Sequence, residues 1–186
     1  VDSNQLRNQN TSSSTMKFSS QEYNKGEITE TSGLLLVSNW TDDFVTEFSY
    51  TTKDQITSQQ SPLGQNLPSF QINNCGSQGI RCYLGPDIFR SANDLKTTTD
   101  YLKLKGTYYR DNHKLTFGYE NKVWDIYNVF LEAQDGEYEF DGLAAYQAQT
   151  ASSFSHNNSR DLTQAGAAAI FEYYLDSIYI HDEIDS

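Results

Sequence analysis

"HKLTFGYENKVWDIYNVF", His113–Phe130, carries the pattern on which the fold turns. Leu115, Phe117 and Tyr119 alternate with Thr116, Gly118 and Glu120. A period of two puts successive side chains on opposite faces, so this is a strand with one apolar face. The architecture depends on whether that face touches a protein core or lipid. Just upstream, "DYLKLKGTYYRDN" (Asp100–Asn112) alternates in the same way. Leu102, Leu104, Gly106 and Tyr108 share one face, and Lys103, Lys105, Thr107 and Tyr109 share the other. "RDNH" at 110–113 turns the chain and joins the two runs into a hairpin. The expected division sets Leu102, Leu104, Tyr108, Leu115, Phe117 and Tyr119 against Lys103, Lys105, Thr107, Thr116 and Glu120. Burying the second set in a sandwich core would be costly. A wet lumen behind a lipid-facing wall accommodates it.

The rest of the chain agrees with an all-β reading. Of 186 residues only 37% are hydrophobic, yet 13 are Tyr and 10 are Phe, residue types that suit a pleated surface. The formal net charge of -12 argues against nucleic acid and against an anionic membrane surface, both of which need a basic face. The longest aliphatic run, Leu34–Val37, is far short of the ~20 residues of a transmembrane helix.

Working outward from the hairpin gives a simple plan. Residues 1–26 are polar and are expected as a loop or frayed strand. Residues 27–60 read as a hairpin through "TDD" at 41–43. Residues 61–96, with all three prolines and both cysteines, read as a long loop. Residues 97–128 are the central hairpin. Residues 129–168 read as a second long loop, with "GEYEFDG" as a short β-arm and "GLAAYQAQ" as one or two helical turns. Residues 169–184, "AIFEYYLDSIYIHDEI", form a last strand. Its aliphatic spacing shifts from odd (Phe171, Tyr173, Leu175) to even (Ile178, Ile180). A bulge near Asp176–Ser177 would bring all five to one face. The fold expected is an antiparallel meander of about five strands, with short turns alternating with long loops. In a soluble domain such loops are uncommon. In an outer-membrane barrel the asymmetry is normal. From alternation alone, a soluble antiparallel sheet with one solvated face competes evenly.

Cys75 and Cys82 sit in "CGSQGIRC". Metal sites want more ligands at tighter spacing, and the histidines are scattered, so a disulfide-closed loop is favoured. It would belong to an oxidising compartment. Glu132, Asp135, Glu137, Glu139 and Asp141 form an acidic cluster. Paired carboxylates hydrolyse glycosides, but spacing of two on a β-arm fits a solvated acidic face better. "DGEYEFDG" lacks the order of a calcium loop. No catalytic residue, cofactor or metal ligand is therefore expected. Trp40, Phe44, Tyr108 and Tyr109 flank the short turns, where a barrel carries its aromatic girdle. Tyr138, Phe140, Tyr146 and Phe154 in the second long loop are candidates for ligand contact.

Four stretches together, "GPDIFRSANDL", "LKLKGTYYRDNHKLTFGYENKVWDIYNVF", "GEYEFDGLAAYQAQTA" and "AAAIFEYYLDSIYIHDEI", resemble the barrel of TonB-dependent outer-membrane receptors, the Oar-like group most of all. The match covers Leu84–Ile184 well and residues 27–60 loosely. It departs at the final strand, which ends in Ile184 where the family often has Trp. The resemblance implies an interior fragment of a large transmembrane β-barrel in the bacterial outer membrane, with its long loops extracellular. It implies the rest of the barrel, a plug, membrane lipid and a nutrient ligand as partners, with TonB acting through the parent protein. The alternative is a soluble β-sandwich binding module, for carbohydrate among other ligands, and a glycosidase stands third.

Overall fold

The computed structural model describes residues 2–7, 12–64, 66–76 and 79–184. Along the chain run β1 (Asp2–Arg7), β2 (Thr15–Lys17), β3 (Tyr23–Thr41), β4 (Phe44–Gln60), β5 (Ser69–Ile72) and β6 (Arg81–Leu84). They are followed by β7 (Ala92–Arg110), β8 (His113–Leu131), β9 (Glu137–Phe140), the short α-helix α1 (Leu143–Gln147), β10 (Ser153–Ser155) and β11 (Ala169–Ile184). The protein is all-β, as its aromatic and alternating composition predicts.

The long strands form one sheet in the order β1-β3-β4-β7-β8-β11. This is the expected meander, with its two hairpins turning at Asp42–Asp43 and Asp111–Asn112. The first turn is fixed by Thr41 Oγ1, which accepts from the amide of Asp43 at 3.3 Å. At the second, Asp111 takes a left-handed backbone, φ 52°, which Asp tolerates better than most residues. The sheet is open and ends at β1 and β11, so it is not a closed barrel.

Several expectations need correction. The stretches read as long loops, 61–96 and 129–168, and the polar start carry a second sheet, ordered β10-β9-β5-β6-β2. The described part of residues 1–26 is largely strand, and β1 pairs antiparallel with β3 from Asp2↔Ile28 to Arg7↔Tyr23. There are thus two sheets and eleven strands among the described residues, where about five were expected. Of the second sheet only β9 was expected, as the short β-arm; the missed strands are three to six residues long, too short to show a period. Two of their pairings are parallel and distant in sequence, β5 with β9 and β2 with β6, so no local turn announces them.

The chain divides into two compact units. Unit 2, residues 29–55, 96–126 and 170–186, holds the hairpin tips and most of β11. Its alternation is as the hairpin sequence predicts. Lys103 meets Glu120 at 3.6 Å and Lys105 meets Glu47 at 2.8 Å on one face. Phe44 stacks on Phe117 at 6.5 Å on the other. The strands are drawn close at Gly118, where a Cβ would lie 2.6 Å from the carbonyl oxygen of Leu104.

The last strand overturns the expected bulge. Tyr119 donates to Asp176 at 2.6 Å, and His113 meets Asp182 at 2.9 Å, on the Phe117 face. Lys114 meets Glu183 at 2.9 Å, and Trp124 packs on Tyr173 at 5.1 Å, on the opposite face. Alternation is therefore unbroken through Asp176–Ser177. Ile178 and Ile180 share the face of Leu104 and Phe117, while Phe171, Tyr173 and Leu175 lie on the face of the lysines. Regular pairing with β8 outweighs the aliphatic spacing, and β11 presents apolar side chains on both faces.

Unit 1, residues 1–28, 56–95 and 127–169, contains the second sheet. Ile72, Cys75, Cys82 and Phe140 form its core, with Phe70, Ile80, Leu84, Tyr138, Ala145 and Tyr146 packed against it. Burying an aliphatic or aromatic side chain such as Ile72 or Phe140 contributes about 1.5–3 kcal/mol. Cys75 and Cys82 are bonded, with Cα atoms 6.0 Å apart, inside the ordinary range for a disulfide.

Candidate functional site

The register of the second sheet separates two chemically distinct faces. In the parallel pair, Phe70 lies opposite Tyr138, Gln71 opposite Glu139, and Ile72 opposite Phe140. Even-numbered residues of β5 and β9 thus share an aromatic face, and odd-numbered residues a polar one. On the aromatic face, Phe70 stacks on Tyr138 with centroids 6.0 Å apart and lies 6.4 Å from Phe140. The antiparallel neighbour β10 places Phe154 opposite Tyr138, and their rings are 4.6 Å apart.

Helix α1 supplies the remaining ring. Gly142 precedes it at φ 101°, a left-handed turn that a side chain would strain. The helix then brings Tyr146 edge-on to both Phe140, at 5.2 Å, and Phe70, at 6.1 Å. The chain leaves α1 through Gln149, at φ 55°. Phe70, Tyr138, Phe140 and Tyr146, with Gln147, Gln149 and Ala151, enclose a hollow of about 610 Å³. That volume lies within the usual range of small-molecule sites.

Three of the four aromatics expected from sequence, Tyr138, Phe140 and Tyr146, line this cup. Phe154 backs Tyr138 from the neighbouring strand. Sequence reasoning missed Phe70, because it sits in a stretch read as loop. Alternation of Phe70 and Ile72 around Gln71 was the available signal, three residues long. It also missed Gln147 and Gln149, which have no pattern of their own.

The polar face is a network of hydrogen bonds around Glu139. Asn73 Nδ2 and Gln71 Nε2 donate to its Oε1 at 2.6 and 3.1 Å, and Ser153 Oγ donates to Oε2 at 3.0 Å. These donors, Asn73 first, hold the Glu139 carboxyl below its ordinary value. Glu137, two residues away, moves the other way. Partial burial pushes its pKa up, and the neighbouring carboxylates of Glu139, Glu132 and Asp87 add to this. Glu137 lines a second hollow of about 330 Å³ with Gln21, Ser69, Tyr83 and Asp87. There Gln21 Nε2 donates to the carbonyls of Gly85 and Pro86 at 2.8 and 3.1 Å, and Asp87 Oδ1 accepts from the amide of Phe89 at 2.8 Å. Of the acidic cluster, Glu139 is therefore engaged in bonding the sheet together, while Glu132 and Asp141 are exposed.

The remaining candidates are dispersed. Trp40, at 67% exposure, donates from Nε1 to Thr46 at 2.8 Å, and Tyr108 and Tyr109 are exposed near the second turn. His113 pairs with Asp182, while His156 lies against Phe154 and Asn158. Among the described residues no group of three or more His, Cys, Asp or Glu is placed to hold a metal ion. Among the described residues no helix is long and apolar enough to cross a membrane, which has no bearing on crossing by strands. Comparison of the chain with protein-family models, with curated proteins and with solved structures finds no match in any of the three.

Proposed function

We propose that the chain is a wall segment of a TonB-dependent receptor barrel in a bacterial outer membrane, taking part in energy-coupled nutrient uptake. The observation that carries this reading is the uncovered apolar face of unit 2. Leu36, Phe48, Leu104, Phe117 and Ile178 line an open groove of about 480 Å³. Ile178 is 87% exposed, and no buried hydrophobic side chain among the described residues lies in unit 2. A water-exposed apolar patch of this kind marks a surface that meets something apolar. On the two hairpins the opposite face carries the Lys103–Glu120 and Lys105–Glu47 pairs and Lys122 over the ring of Tyr101 at 4.5 Å, which suits a lumen. On β11 that face bears Phe171, Tyr173 and Leu175, so the division into lipid and water faces is proposed for the hairpins alone. Lipid does not tolerate an open sheet edge, so β1 and β11 would pair with further strands of the same barrel. The plug and the coupling to TonB belong to the parent receptor.

A soluble binding module is the second reading, favoured by the core and aromatic cup of unit 1. Solution behaviour separates the two. The membrane reading expects the chain to need detergent or bilayer to remain dispersed. A monomer with a cooperative melt in detergent-free buffer overturns it. A finer test replaces Trp40 and Trp124 by Phe and introduces either Phe117→Trp or Lys103→Trp. In vesicles of brominated phosphatidylcholine, fluorescence should be quenched in the first and spared in the second. Equal quenching removes the assignment of faces.

A further inference from the structure

We infer that the aromatic cup of unit 1 is a binding site for a neutral carbohydrate. This stands apart from the membrane reading, because every residue lining the cup belongs to unit 1. The first argument is charge. The chain has a formal net charge of -12, yet the lining holds no Asp, Glu, Lys, Arg or His. The acidic side chains of β9, Glu137 and Glu139, alternate onto the opposite face, where Glu139 is tied down by Asn73, Gln71 and Ser153. A charged ligand would find no counter-ion in the cup.

The second argument is the mixture of groups that remains. Phe70, Tyr138 and Tyr146 are half-buried and offer ring surface, and the edge-on contacts of Tyr146 with Phe70 and with the buried Phe140 hold it in place. Gln147 and Gln149 are exposed and stand at the rim, on the last turn of α1 and in the turn that follows it. Each amide carries two donors and an acceptor. A sugar ring presents axial C–H groups on its faces and hydroxyls around its edge. The C–H face suits the electron-rich face of an aromatic ring, and the hydroxyl rim suits primary amides. A purely apolar ligand would leave the glutamines unused, and a flat purely polar one would leave the rings unused.

The third argument is preorganisation. The hollow is formed by a strand pair in fixed register and by a helix held between Gly142 and the left-handed Gln149. The Cys75–Cys82 bond lies in the same core as Phe140, so the floor of the cup is covalently braced. A rigid site loses less conformational entropy on binding.

The test uses the full chain, in detergent where it needs one, titrated calorimetrically with maltohexaose, cellohexaose and mannohexaose. Oligogalacturonate of the same length is the charged control. The expected result is saturable binding of at least one neutral oligosaccharide at micromolar to millimolar concentration, with the anionic control weaker. Tyr146→Ala should weaken that binding about tenfold or more, the loss of one well-placed contact of ~1.4 kcal/mol. Gln147→Ala removes an exposed side chain and leaves the core intact, so it keeps the test open should Tyr146→Ala unfold; it should weaken binding severalfold. Failure of all three neutral probes to bind overturns the proposal, as does undiminished binding by a folded Gln147→Ala. Neither outcome touches the lipid-quenching result for unit 2.

Discussion

Unit 1 and unit 2 are built from the same residue types and place them differently. Unit 1 gathers short strands around Ile72, Phe140 and a disulfide, and it has a core. Unit 2 lays out the ends of strands 16–19 residues long, and its Leu36, Leu104, Phe117 and Ile178 remain uncovered. Hydrophobic content does not distinguish them. What differs is whether the apolar face finds a partner within its own unit, so stability in unit 1 is internal and in unit 2 rests on the surroundings.

The sharpest way to break this comparison is a pair of truncations. Phe140→Ala in unit 1 should cost about 3–5 kcal/mol, because the ring is 5% exposed and a cavity would remain. Phe117→Ala in unit 2 should cost well under half of that in detergent, because the ring is already 40% exposed. Denaturant titrations followed by circular dichroism give both values. Equal losses would show that unit 2 possesses a core after all.

Next in size is the disulfide. Replacing Cys75 and Cys82 by Ser opens a short loop, and unit 1 should lose about 2.5 kcal/mol. Hydrogen exchange should show faster opening at Ile72 and Phe140 and no change at Leu104 or Tyr119. Acceleration spread evenly over both sets would contradict the separation into two units.

The smallest effect is acid–base. Glu139 has a lowered pKa, so it contributes stability above its unfolded value of 4.5, and this is lost as pH falls through the folded value. Glu137 has a raised pKa, so its contribution is present below 4.5 and is lost as pH rises through the folded value. Glu137→Gln should therefore raise the Tm of unit 1 at neutral pH by about 1–3 °C, and the gain should vanish in acid. Glu139→Gln should lower it at neutral pH and flatten the acid limb. Melts between about pH 3 and 8 check both signs. Two variants moving together would mean that the two carboxylates do not differ in environment.

The long strands were legible because a period of two over many residues is hard to mistake, and both hairpin turns carry Asp or Asn where the chain reverses. The β-arm at Glu137–Phe140 was legible from its aromatic and acidic alternation between Gly136 and Gly142, and the boundaries of β11 were legible from its length. Its register was not. Five aliphatic and aromatic residues suggested a bulge, yet pairings such as Tyr119 with Asp176 and Lys114 with Glu183 hold the strand regular. The second sheet was illegible for a different reason. Strands such as Arg81–Leu84 have four residues and find their partners across dozens of positions. Three of the cup's four rings could be named in advance because they cluster within nine positions of one another. Phe70 could not, because only the parallel register with β9 brings it to Tyr138.

That parallel register has a consequence for the order in which the chain assembles. The hairpins β3–β4 and β7–β8 close through two-residue turns, so their contacts form between neighbours, and the entropy of loop closure is small. Pairing Phe70 with Tyr138, or Met16 with Cys82, must first bring distant segments together. High sequence separation slows folding. The hypothesis that follows is that the second sheet, and with it the aromatic cup, is the last part of the protein to form. Pulsed hydrogen exchange during refolding would show amides of β7 and β8 protected before those of β5 and β9, and the reverse order would refute it. A chain that had made only its hairpins would already display its apolar sheet while lacking the site.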